Sequence, residues 1–178
     1  MSVKVGAAAF AILAAAMVAG CQQGATTSTQ TSLEPGQIRE SELRAYCPRP
    51  TLREETVYMR QYERGGDGDP NRLIFQAMIS DTTRACQYNQ GSGVINVVAA
   101  GRLVPGPKGR PGTYTLPIRV IATRGDQVLY SQVIRHQVNV SDVAGATQFF
   151  LSDPNVVIPG GIDRSVQVSI GFEGGTRN

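Results

Sequence analysis

The chain has 178 residues and carries 17 Lys+Arg against 14 Asp+Glu, a formal charge of +3. Fifteen of those basic residues are Arg, spaced singly from Arg39 to Arg177, so no dense basic face for nucleic acid or another polyanion is present. The length suits one domain with a hydrophobic core of its own, while a single His and three Cys without CxxC, HExxH or GxSxG leave out the common zinc, redox and serine-nucleophile motifs.

In chain order, Lys4 is followed by an unbroken small-apolar run from Gly6 to Gly20. Its fifteen residues cover roughly 22 Å in a helix, short of the ~30 Å hydrocarbon core, so a secretory leader fits better than a spanning helix. The run ends in Val18-Ala19-Gly20-Cys21: an aliphatic residue, two small residues and a Cys. This quartet resembles the lipobox of bacterial lipoprotein precursors. The resemblance implies a signal peptide over residues 1–20, cleavage before Cys21, a diacylglycerol (palmitate-type) modification of the Cys21 thiol, and acylation of the new amino terminus. One acyl chain anchors marginally, whereas two or more hold a protein stably on a membrane. Gln22 follows Cys21; in lipoproteins of enteric bacteria an Asp at that place favours inner-membrane retention, so the analogy implies the outer membrane, with the folded part facing the periplasm.

From Gln22 to Gly36 the chain has one charge, Glu34, among Thr, Ser, Gln and Gly, a composition that buries too little apolar surface to fold alone. Residues 21–46 therefore read as a lipidated Cys and a polar tether, with a root-mean-square reach of roughly 25–30 Å as flexible coil. Within it, Ile38 to Tyr46 has the Glu, Arg, Leu and Ala of a short helix.

From Thr56 on the hydrophobic period is two. Tyr114, Leu116, Ile118, Val120 and Ala122 form one apolar face, and Val166, Val168, Ile170 and Phe172 another. Leu73 to Ile79 and Val94 to Val104 are apolar on both sides, which predicts strands covered on both faces. Thr56 to Tyr62, Thr83 to Tyr88 and Gln127 to Val140 bring the count to about seven segments. Turn chemistry separates them in GGDGDPN, NQGSG, PGPKGRPG and RGDQ. The expectation is an all-β fold over 47–178: an antiparallel β-sandwich of immunoglobulin-like or fibronectin-like type.

With Cys21 assigned to lipid, Cys47 and Cys86 remain as an even pair in an oxidising compartment, and a disulfide is expected in place of two buried free thiols. His136 shares its alternating face with Val128, Tyr130, Ile134, Val138 and Val140, which reads as a partly buried strand residue in preference to a general base. Asp67, Asp69 and Asn71 begin like a calcium loop, but Arg72 and Met78 stand where Gly and a bidentate Glu are required. Lys108 and Arg110 sit on a Gly/Pro loop, where they either solubilise a hairpin tip or touch an anionic envelope polymer or lipid phosphate.

The residues imply no cofactor, no metal site and no nucleic-acid partner. Two function classes remain. One is a membrane-anchored, non-enzymatic binding or structural module contacting another envelope protein or an anionic polymer. The alternative is an envelope glycan hydrolase built on paired carboxylates, drawn from Asp81, Asp126, Asp142, Asp153, Asp163 and Glu173, since that chemistry needs no His.

Overall fold

The structure, a computed structural model, describes residues 46–89 and 91–174. The expected signal peptide, Cys21, the tether and the helix over 38–46, apart from Tyr46, lie outside the described residues. Eight strands follow in order: β1 (Pro50–Leu52), β2 (Tyr58–Tyr62), β3 (Leu73–Asn89), β4 (Ser92–Pro105), β5 (Gly112–Arg124), β6 (Gln127–Val140), β7 (Thr147–Pro159) and β8 (Val166–Phe172). They form two four-stranded sheets, one in the order β1-β8-β5-β6 and the other β2-β3-β4-β7. All neighbours are antiparallel except β1 and β8, which run parallel. The fold is thus the all-β sandwich that the alternating pattern predicts.

The core lies between the inner faces. Leu116, Ile118, Val120 and Ala122 of β5 are fully buried, as are Phe75, Ala77 and Ile79 of β3 and Ile95, Val97, Ala99 and Leu103 of β4. Val166, Val168, Ile170 and Phe172 of β8 close the same layer from the other sheet. The Phe75 and Tyr114 rings meet edge to face across the sheets, with centroids 5.1 Å apart. Two glycines are required locally. Gly125 opens the two-residue β5–β6 turn at φ 56°, a conformation costly for a side chain, and Gly101 leaves room for the Phe149 ring to lie against the β4 backbone.

The segment reading differs from the structure in three places, each with a physical cause. Leu73 to Ile79 and Thr83 to Tyr88 are one 17-residue strand, β3. A bulge between Ile79 and Asp81 inserts one residue and reverses the inward phase, which makes a single strand read as two. Two strands escape the pattern altogether: β1, three residues long, and β7, whose run is interrupted by Asp153-Pro154. Pro154 is tolerated because β7 is an edge strand and carries a bulge there, between the rungs Val97↔Asp153 and Ile95↔Val156. Finally, β4 is not covered on both faces: Val94, Val98 and Ala100 are only partly buried and Val104 is exposed.

Candidate functional site

The β3 bulge determines what the first described residues can reach. After it, Thr82, Arg84 and Cys86 are the partly buried positions of the strand, and all three engage the segment that leads into β1. The Thr82 hydroxyl donates to the Pro50 carbonyl at 3.1 Å. The Arg84 guanidinium donates to the Cys47 carbonyl from Nε and Nη2, at 3.3 and 3.2 Å. Cys86 is bonded to Cys47, with Cα atoms 5.8 Å apart. The expected disulfide is therefore present, and the Tyr88 hydroxyl adds a 2.6 Å bond to the Tyr46 carbonyl. Beside it a groove of about 560 Å3 opens to solvent between Arg49, Thr51, Arg84, Val166, Gln167 and Val168, its lining mixed apolar and polar.

The two loops singled out in the sequence lie together at the opposite pole. In PGPKGRPG, Gly106 N–H donates to Ile74 O at 2.8 Å and Lys108 N–H to Leu73 O at 3.0 Å, folding the loop back on the start of β3. Arg110 is clasped by Tyr114: its N–H donates to the phenol oxygen at 3.0 Å, and the phenol donates to its carbonyl at 2.6 Å. The backbone is thereby ordered while the Lys108 and Arg110 side chains stay exposed. The neighbouring loop Glu63 to Arg72 leads directly into β3. There Asp69 caps the short 3-10 turn by accepting from Asn71 N–H at 2.9 Å, and Arg72 donates to Gly65 O and Arg64 O at 2.8 and 2.7 Å. The Asp69 carboxylate that suggested a calcium loop is engaged as a helix cap. Along β4, from Ile95 opposite Cys86 to Pro105, the poles are about 33 Å apart at roughly 3.3 Å per residue.

Five of the six acidic residues considered for glycan hydrolysis are each held by a local partner; the exception among the described residues is Asp126, in the exposed β5–β6 turn. Asp81 and Asp142 accept backbone N–H bonds from Thr82 and Ala144. Asp163 accepts from both the hydroxyl and the N–H of Ser165 and faces Arg124 at 3.5 Å; the Ser165 hydrogen bond is the main cause holding its carboxyl below the usual range. Glu173 is clamped by Arg119 through two hydrogen bonds, which likewise lowers its pKa. Asp153, 5% exposed, is the buried one, and its Oδ2 accepts from the Tyr130 hydroxyl at 2.8 Å.

That Tyr130–Asp153 bond joins the edge strands of the two sheets, a pairing that the sequence, in which Asp153 is one of six scattered acids, does not display. The signal available was the Asp-Pro pair within an apolar run, a mark of a bulge that turns its acid inward. Burial first, then the hydrogen bond to Asp153, pushes the Tyr130 phenol up to about 12. His136 lies on the inner side of β6 with Tyr130, Ile134, Val138 and Val140, but Val128, expected on that face, is 59% exposed because the β5–β6 register shifts between Ala122 and Thr123; His136 packs on Phe149 with ring centroids 5.6 Å apart, and burial lowers its pKa. Comparison with protein-family models, curated proteins and solved structures finds no match to this chain.

Proposed function

We propose that this chain is a lipid-anchored protein of the bacterial cell envelope, its β-sandwich serving as a non-enzymatic binding or structural module on the periplasmic side of the outer membrane. The observation that carries this reading is how the cysteines divide. Of the three cysteines, Cys47 and Cys86 are bonded to each other, which leaves Cys21, the residue at the lipobox position, outside that pair. A structural disulfide also suits an oxidising compartment.

The polarity of the sandwich supports the binding role. The N-terminal segment joins the domain at the disulfide pole, and the ordered loop carrying Lys108 and Arg110 stands at the other, about 33 Å away along β4. A chain tethered through Cys21 enters the domain at the end far from that loop, which leaves the loop accessible to an anionic envelope polymer or another envelope protein. The test is metabolic labelling with radioactive palmitate, comparing the wild type with Cys21→Ser. Label in the wild type and none in the variant is expected; an unlabelled wild type overturns the reading.

A further inference from the structure

The two outer faces of the sandwich differ in chemistry. On the sheet β1-β8-β5-β6, β5 directs Arg119 outward into its clamp with Glu173 and a 2.7 Å bond to the Ser131 hydroxyl. On the sheet β2-β3-β4-β7, the register aligns Tyr58 with Met78, Met78 with Arg102, and Ala100 with Phe150. Phe150 is 67% exposed, with Val157 at 46% and Val104 at 43%. Val94, Val98 and Ala100 continue the apolar surface along β4, and the charged residues beside it are Arg60, Arg102 and Asp81. Gln76, Asn96, Gln148 and Ser152 share this outward face, which has few carboxylates and no Lys and carries the aromatic, Met and Arg side chains that are enriched in protein interfaces.

We infer that this outer face pairs with the same face of a second copy of the chain, as an isologous dimer. Two observations select that occupant. The first is area: three long strands and the short β2 present roughly 700 Å2 at strand spacings of about 4.8 Å, so two apposed faces cover about 1,400 Å2, the size of a stable specific interface. The second is self-complementarity. The face holds both a knob, Phe150, and a shallow groove of about 250 Å3 between Tyr58, Gln76, Met78, Arg102 and Val104. A two-fold axis lying in the face, midway between them, seats each Phe150 in the groove of the other copy, and the contact closes on itself. Arg102 then lies against the inserted ring; among the described residues it makes no ion pair, and its guanidinium gains a cation–π contact.

Sedimentation velocity of the full chain in density-matched detergent tests the assignment. The wild type sediments as a dimer, and Phe150→Glu weakens association by roughly a hundredfold, as expected for a hot-spot aromatic. Val128→Glu, at an exposed position of β6 in the other sheet, leaves the dimer intact. Circular dichroism and the oxidised state of the Cys47–Cys86 pair, unchanged in both variants, show that folding is preserved. A photo-crosslinking residue at position 150 joins the peptide containing Arg102 and Val104 of another copy. A monomeric wild type, a dimer indifferent to Phe150→Glu, or a crosslink to a different protein each overturns the inference.

Discussion

Tyr130 and Asp153 come from β6 and β7, edge strands of different sheets, so their hydrogen bond fastens one side of the sandwich where no backbone pairing between sheets exists. The phenol must stay protonated to donate. Its pKa is raised from 10.0 to about 12 in the folded protein, so the native state holds that proton more tightly than the unfolded chain. The resulting stability is complete below about pH 10 and is lost as pH rises through about 12. Tyrosinate absorbance is expected to show a late-ionising phenol that Tyr130→Phe removes. In urea unfolding at neutral pH the same variant is less stable by about 2 kcal/mol, since it leaves the buried Asp153 carboxylate short of a donor. A titration in which Tyr130→Phe abolishes no late phase contradicts this.

At the scale of the elements, single-residue insertions decide the architecture. In β3 the extra residue near Ser80 moves the inward-facing set from Phe75, Ala77 and Ile79 to Thr82, Arg84 and Cys86. Without that phase change Cys86 would share the side of Ser80 and Met78, away from Cys47. The bulge is therefore a precondition of the disulfide. The bond closes a loop of sequence separation 39, and in the chain-entropy account a crosslink of that size stabilises by about 4 kcal/mol. Cys47→Ser/Cys86→Ser is expected to lower the urea midpoint by that free energy, with an unchanged spectrum at zero denaturant. A midpoint equal to the wild type rules the contribution out. Bulges are also where the sequence is hardest to read, because alternation is a period-two signal and one inserted residue shifts its phase. Segments without an interior bulge or Pro, such as Val166 to Phe172, are legible at once; β7, broken by Asp153-Pro154, is not.

Across the whole molecule, the disulfide pole and the loop pole are separated by the length of the sandwich. Lys108 and Arg110 are carried on a loop whose backbone is fixed to Leu73, Ile74 and Tyr114, so binding there need not order the loop first. Two exposed cations give modest, salt-sensitive affinity. Lys108→Gln/Arg110→Gln is expected to reduce retention of the protein on isolated, protein-free envelope polymer, with the difference vanishing at high salt. Equal retention of variant and wild type at low salt removes this loop as a ligand contact.

What the sequence determined by itself is whatever depends on local order along the chain. The all-β architecture follows from strict alternation in Tyr114 to Ala122 and Val166 to Phe172, and the turns from Gly, Pro, Asn and Asp at fixed places. The lipobox likeness at Val18 to Cys21 and the availability of Cys47 and Cys86 as an even pair are equally local. Only the tertiary structure decided what depends on pairing between distant segments: the inward turn of Asp153 toward Tyr130, the phase shift that aims Cys86 at Cys47, and the polar separation of the two ends. It also decided that the second apolar side of β4 faces outward. A pattern of hydrophobic residues reports which surfaces are to be covered, and does not say whether the cover comes from the same chain.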